Sequence, residues 1–89
     1  MTLYEFYGEG CPHCEKMKPK IEKLEAEEDV EVESLEVWNN RENAEKQVEF
    51  DDGKCGGVPF FYNTESDEWI CGETDMDKLR KWATDKEVN

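Results

Sequence analysis

Two cysteines that are separated by two residues form the most reactive arrangement in this sequence. Cys11 and Cys14 enclose Pro12 and His13. Paired thiols at this spacing undergo thiol–disulfide exchange, or they bind a metal ion such as zinc. The motif alone therefore leaves two classes of protein open, a redox protein and a metal-binding protein.

The motif lies where a predicted strand ends and a predicted helix begins. Residues 2–7 are β-prone and are followed by glycine, and residues 12–28 carry apolar side chains at helical spacing. The unpaired N–H groups and the dipole at the start of a helix stabilise an anion, so a thiol at this position ionises readily. We therefore expect Cys11 to be an exposed nucleophile. Cys14, one turn later, is expected to attack the disulfide that Cys11 forms.

The two residues between the cysteines suit this interpretation. Pro12 fits the first helical turn, because the N–H that proline lacks is not needed there. His13 is the only histidine of the chain. A cationic or hydrogen-bonding imidazole at this position would favour the Cys11 thiolate. The alternative for His13 is a spacer that only contacts solvent.

The remaining sequence predicts three more strands and two more helices. Residues 30–37, 58–62 and 68–71 have the composition of strands. Capping patterns at Asn39 and Thr74 begin helices, the first of which extends to about residue 49. The residues expected to face the core are Ala44 and Val48 in the first helix, and Met76, Leu79, Trp82 and Ala83 in the second.

This order of elements, β-α-β-α-β-β-α, predicts the α/β fold class and a single domain over residues 1–89. Two strands that are joined by a helix pair in parallel with a right-handed crossover, whereas the last two strands form an antiparallel hairpin. A mixed four-stranded sheet with helices on both faces is the compact arrangement of these elements.

Charge and hydropathy argue against two kinds of partner. Twenty-four acidic and eleven basic residues give a net charge of −13, whereas nucleic acid requires a basic surface. No apolar run approaches the roughly 18 to 20 residues that cross a bilayer, and the first residues do not resemble a signal peptide. We expect a cytoplasmic monomer that binds neither nucleic acid nor membrane. The acidic stretch over residues 22–36 is a solvated surface or a docking site for a basic partner, and a saline cytoplasm is a third explanation of the acidic charge.

The segment from Glu5 to Pro19 resembles the active-site segment of the thioredoxin superfamily. An acid lies six residues before the first cysteine and a proline five residues after the second. Gly57, Val58 and Pro59 are similar to the family's second motif, in which a cis-proline opens a strand beside the cysteines. The resemblance covers nearly the whole chain without the extra N-terminal β-α unit of full-length thioredoxins, as in glutaredoxins. It implies a minimal thioredoxin fold.

The resemblance also implies an activity. Cys11 and Cys14 would be the catalytic pair of an oxidoreductase that reduces or exchanges protein disulfides. Glu5 would be buried under the first helix, where it could take the proton of Cys14; a glutamate facing the sheet edge is the alternative. No cofactor is expected beyond the Cys11–Cys14 disulfide. A separate reductase or a low-molecular-weight thiol would regenerate the dithiol.

The substrate-binding surface follows from the same resemblance. Pro59, in cis, would shape a groove in which the backbone of Val58 pairs with an extended substrate peptide as an added strand. Gly57 and Tyr7 belong to this expected surface, although the ring of Tyr7 also suits the core.

Two further cysteines keep the alternatives open. Four cysteines suit a zinc or iron–sulfur site, so the rival function is a metal-binding or metal-delivery module that uses Cys11 and Cys14, with or without Cys55 and Cys71. The second closely spaced pair of a typical zinc site is missing, and we expect no metal. Cys55 lies four residues before Pro59, and the hairpin register places Cys71 roughly across from it. These two are therefore expected to form a second disulfide or to be buried thiols.

Overall fold

One mixed sheet and three helices make up the described part of the protein. The computed structural model describes residues 2–84. Its elements are β1 (Leu3–Tyr7), α1 (Pro12–Glu28), β2 (Val32–Glu36), α2 (Arg41–Asp51), β3 (Phe60–Asn63), β4 (Trp69–Cys71) and α3 (Met76–Ala83). The sheet order is β2-β1-β3-β4, with β1 parallel to β2 and the other pairs antiparallel. The predicted α/β class and the four-stranded mixed sheet are confirmed. In the described part of the chain, no helix is long and apolar enough to span a membrane.

The alternation of side chains along the strands divides the core between the two faces of the sheet. On one face, Leu3 and Phe61 pack with residues of α1 and α3, and the ring of Phe61 meets Trp82 edge-on at 5.4 Å. On the other face, an aromatic cluster that includes Phe6 and Phe60 packs against Phe50 of α2. Successive strand residues point to opposite faces, so helices cover both sides of the sheet.

The first helix has the predicted bounds, because its start and end carry clear signals. Cys11 is the N-cap, Pro12 occupies the first turn, and Asp29 ends the helix in the left-handed conformation. The buried apolar residues of α1, at the predicted helical spacing, are Met17, Ile21 and Leu24.

The second helix presents a different face to the protein from the one predicted. Its N-cap is Asn40 rather than Asn39, and its buried residues are Gln47 and Asp51. Val48, expected to face the core, is 71% exposed. Polar side chains of this helix turn inward because they hydrogen-bond backbone groups of the loop that follows, whereas apolar periodicity predicts only packing.

Other boundaries also differ from the predicted ones. The N-cap of α3 is Asp75, not Thr74, although Leu79 and Trp82 are buried as predicted. The third strand begins at Phe60, two residues later than expected. Proline has no N–H for a sheet hydrogen bond, and the contact at Pro59 uses its carbonyl, which accepts the N–H of Gly72 at 2.7 Å.

Candidate active site

The two motif cysteines lie at the junction of the β1–α1 loop and the helix. The N–H of Cys11 donates to the carbonyl of Gly8 at 3.1 Å. The Sγ of Cys11 accepts the backbone N–H of Cys14 at 3.2 Å and so acts as the N-cap of α1. Both cysteines are free thiols. A sulfur that accepts an N–H group at a helix start is placed where a thiolate is stabilised.

Cys11 is buried, which corrects the prediction that it is exposed. Its side chain is 3% exposed and that of Cys14 is 2% exposed. The helix-edge position predicted solvent contact, but the N-cap role turns the sulfur inward over the first helical turn.

The two thiols have different environments. Burial, together with the hydrogen bond to Cys11, raises the pKa of the Cys14 thiol to about 12. Cys14 therefore holds its proton at neutral pH. This difference fits a pair in which one sulfur attacks first and the other loses its proton later.

Glu5 lies in the middle of β1, on the face covered by α1. Its side chain is 4% exposed, and the hydroxyl of Ser34 donates a hydrogen bond to Glu5 Oε1 at 2.8 Å. Burial raises the pKa of the Glu5 carboxyl, while Ser34 and the positive charge of Lys18 oppose this shift. Glu5 and Cys14 line the same cleft, of about 240 Å³. A carboxylate thus lies within electrostatic range of the proton-bearing thiol, since its charge contributes to the raised pKa of Cys14.

Three residues of this cleft bear on the predictions made from the sequence. Tyr7 lines the cleft beside Glu5 rather than the groove next to Val58, where it was expected. Tyr7 and Glu5 share one face of β1 because they are two residues apart. Lys18 was missed, although its position one helical turn after Cys14 places both on one side of α1.

His13 is held by a residue that is distant in the sequence. Its Nδ1 donates to Glu73 Oε1 at 2.9 Å. This hydrogen bond lowers the pKa of Glu73, and the charges of Lys16 and Lys20 act in the same direction. Lys20 Nζ also donates to the carbonyl of Thr74 at 2.8 Å. The imidazole is thereby oriented toward the segment that follows β4, and no local sequence signal predicts this contact across 60 residues.

The loop before Cys11 is covered by residues that follow β2. The carboxylate of Glu36 accepts the backbone N–H groups of Glu9 at 3.0 Å, Trp38 at 3.0 Å and Asn39 at 2.8 Å. These bonds, of which that from Glu9 is the largest contribution, lower the pKa of Glu36. Trp38 is 57% exposed, and its indole lies directly over Gly8. Sequence reasoning missed Glu36 and left Trp38 open between core packing and recognition.

The loop after α2 carries the other expected substrate-binding residues. The Val58–Pro59 peptide bond is cis. Gln47 Nε2 donates to the carbonyl of Gly57 at 2.8 Å, and the carboxylate of Asp51 accepts the N–H groups of Cys55 and Gly56, each at 2.8 Å. Desolvation would raise the pKa of Asp51, but these donors outweigh it and the pKa is lowered. These hydrogen bonds tie the loop to α2. The loop borders a groove of about 390 Å³ with the apolar residues Val37, Trp38, Ala44, Val48 and Val58 in its walls.

The other two cysteines form a disulfide. Cys55 and Cys71 are joined by an S–S bond of 2.04 Å, with their Cα atoms 5.4 Å apart. The disulfide ties the loop after α2 to β4, where Cys71 pairs with Phe60. In residues 2–84, no group of three or more His, Cys, Asp or Glu side chains is arranged to hold a metal ion. The structure therefore does not gather the four cysteines into one site.

The comparisons with known proteins agree with this geometry. A family model described as thioredoxin matches residues 1–85. The matched range includes the cysteine motif, Glu5 and the Val58–Pro59 segment. No match was found among curated proteins or among solved structures.

Proposed function

The chain belongs to the thioredoxin family, and on that premise we propose that it is an oxidoreductase that reduces or exchanges protein disulfides through Cys11 and Cys14. The observation that carries the proposal is the hydrogen bond from the Cys14 N–H to the Cys11 Sγ at the start of α1. It favours one sulfur as the thiolate, and the raised pKa of Cys14 keeps the other protonated.

The reaction has two exchange steps. The Cys11 thiolate attacks one sulfur of a substrate disulfide, so a mixed disulfide forms and the other substrate sulfur leaves as a thiolate that takes a proton from water. Cys14 then loses its proton and attacks Cys11 Sγ, which releases the second substrate thiol. The substrate disulfide is reduced to two thiols, and Cys11 and Cys14 are oxidised to a disulfide. A reductase or a low-molecular-weight thiol returns them to the dithiol.

Glu5 is the proposed acceptor of the Cys14 proton. Its carboxylate shares the cleft with Cys14, and its raised pKa brings its proton affinity closer to that of a thiol than an exposed carboxylate would allow. The hydroxyl of Ser34 holds the carboxylate in place from the neighbouring strand. The cleft is open to solvent, so the proton can then pass to water.

The proposed substrates are polypeptides that lie next to Val58 in an extended conformation. Val58 precedes Pro59 and lies outside β3, so its backbone takes no part in the pairing of β3 with β1 or β4. The adjacent groove has apolar walls, of which Trp38 and Val48 are exposed. The net charge of −13 favours neutral or basic substrates over acidic ones. We place this activity in the cytoplasm, in a monomer.

Turnover of a protein disulfide tests the proposal. Wild-type protein is mixed with insulin and a limiting amount of dithiothreitol, and the rate of disulfide reduction is measured against Cys11→Ser. The expected result is catalysis by the wild type and a rate for Cys11→Ser equal to that of dithiothreitol alone. Equal rates for both proteins would contradict the proposal, as would stoichiometric zinc or iron bound by Cys11 and Cys14 in protein purified under reducing conditions.

A further inference from the structure

One carboxylate fastens the loop before Cys11 to the end of β2. Glu36 Oε2 accepts the N–H groups of Glu9 and Trp38, each at 3.0 Å, and Oε1 accepts the N–H of Asn39 at 2.8 Å. Glu9 belongs to the β1–α1 loop, whereas Trp38 and Asn39 belong to the turn that follows β2. Glu36 thus joins two loops that are distant in the sequence, since Glu9 and Glu36 are 27 positions apart. Hydrogen bonds to an ionised acceptor are stronger than those to a neutral one.

The second loop in turn covers the first. A Cβ atom at Gly8 would lie 2.2 Å from Trp38 Cδ2, so the indole packs against the glycine backbone itself. The carbonyl of Gly8 accepts the N–H of Cys11 at 3.1 Å. The contacts therefore run from Glu36 through Trp38 and Gly8 to Cys11, the N-cap of α1.

We propose that Glu36 is a positioning residue for Cys11: its ionised carboxylate holds the loop over residues 8–10, with Trp38 over Gly8, so that Cys11 stays at the N-cap of α1. This inference rests on the proposed function, because it concerns the reactivity of the same thiol. It assigns a role to a residue that lies outside both sequence motifs and does not contact the reacting sulfur.

The proposal predicts that replacing Glu36 shifts the redox potential in the opposite direction from the one that charge alone predicts. A negative charge disfavours a thiolate nearby. If Glu36 acted only through its charge, replacing it would therefore make the Cys11–Cys14 couple more oxidising. As a clamp, Glu36 instead keeps Cys11 Sγ at the N–H groups of the helix start, which stabilise a thiolate more than a neutral disulfide sulfur. Removing the clamp should therefore make the couple more reducing.

The test is the equilibrium of the Cys11–Cys14 couple with glutathione redox buffers. We compare the wild type with Glu36→Ala, which removes every acceptor oxygen, and with Glu36→Gln, which keeps one. Glu33→Gln is the matched control, since Glu33 is an exposed glutamate on the same strand. In Glu36→Ala the equilibrium constant for reduction by glutathione should fall about tenfold, which corresponds to a potential about 30 mV more negative. Glu36→Gln should fall between this variant and the wild type, and Glu33→Gln should remain within about twofold of the wild type.

A role in folding alone gives a different result. Loss of stability that is equal in the oxidised and reduced forms leaves the equilibrium constant unchanged, so urea unfolding of both forms accompanies each measurement. If Glu36→Ala does not fold, Glu36→Gln alone decides the sign. A change of less than about twofold, or a shift toward a more oxidising couple, overturns the inference. Failure of the wild-type pair to exchange with glutathione at all would instead overturn the proposed function.

Discussion

The hydroxyl of Ser34 donates a hydrogen bond to the buried carboxylate of Glu5, at 2.8 Å, across the parallel pair of strands β1 and β2. This hydrogen bond lowers the pKa of Glu5, but burial has the larger and opposite effect, so the pKa is raised. A carboxylate in this environment is stabilised less than it would be in water. At neutral pH the ionised Glu5 therefore lowers the stability of the folded state.

Replacing Glu5 by Gln should therefore stabilise the protein at neutral pH while slowing catalysis. Because folding raises the pKa of Glu5 above its ordinary value of 4.5, its contribution to stability is complete below that value and is lost as pH rises through the folded pKa. We expect Glu5→Gln to gain on the order of 1 kcal/mol in the free energy of unfolding at pH 8, with the difference shrinking toward pH 5. Urea unfolding at both values measures it. A loss of stability at pH 8 would contradict this account of Glu5.

Cys14→Ser should accumulate mixed disulfides with substrates through Cys11. In the proposed reaction, the attack on Cys11 Sγ that resolves the mixed disulfide comes from Cys14, which holds its proton until that step because its pKa is raised to about 12. Mass spectrometry of the variant after incubation with an oxidised peptide detects the adduct. The reciprocal variant, Cys11→Ser, should trap much less, and equal trapping through Cys14 would reverse the roles of the two cysteines.

Removing the Cys55–Cys71 disulfide should lower stability without removing the Cys11 chemistry. The bridge spans a sequence separation of 16 residues, and closing a loop of that length stabilises a protein by about 3 kcal/mol. The double variant Cys55→Ser with Cys71→Ser should lose that amount in urea unfolding, against wild type oxidised at this pair. Addition of excess dithiothreitol to both proteins is the control, because the difference should then disappear. A loss below about 1 kcal/mol would show that the bridge stabilises little.

Gly8→Ala should destabilise the protein, and Trp38→Ala should rescue it. The added Cβ would lie 2.2 to 2.5 Å from three indole atoms of Trp38, and forcing a group into occupied space costs about 1 to 3 kcal/mol. With alanine at position 38 the space is free, so the double variant should be closer in stability to Trp38→Ala than Gly8→Ala is to the wild type. A double-mutant cycle by urea unfolding measures this coupling. Additive effects would mean that the indole does not rest on Gly8.

His13→Ser should make the Cys11–Cys14 couple slightly more reducing. The imidazole lies within the motif and donates a hydrogen bond to the carboxylate of Glu73 at 2.9 Å, so its removal takes a donor away from that negative charge. The pair is exposed, so the change in the equilibrium constant with glutathione should be modest, about two- to fivefold. Lys23→Gln, near the other end of α1, serves as the charge control. An unchanged equilibrium constant in His13→Ser would show that the ring does not affect the Cys11–Cys14 couple.

The elements with local signals could be predicted from the sequence. Pro12 at the helix start and the apolar stripe from Met17 to Leu24 define α1 at its observed bounds. That Leu3, Glu5 and Tyr7 share one face of β1 also follows from local order, because side chains alternate along a strand. Both features depend only on residues that are close together in the chain.

The parts that could not be predicted depend on contacts between distant segments. Gln47 and Asp51 are buried because backbone groups of the next loop need hydrogen-bond partners, and no apolar periodicity signals this. Glu36 reaches Glu9 across 27 residues, and Glu73 reaches His13 across 60. Polar contacts between distant residues leave no periodic pattern in the sequence. The cysteine motif could therefore be recognised from the sequence, but the residues that contact it could not.

The cleft lined by Glu5 and Cys14 and the groove beside Trp38 and Val58 are two separate cavities with no lining residue in common. Under the proposed mechanism, a polypeptide bound in the groove would leave the cleft open to water. The proton of Cys14 would then exchange with buffer while the mixed disulfide is still in place, before the product leaves.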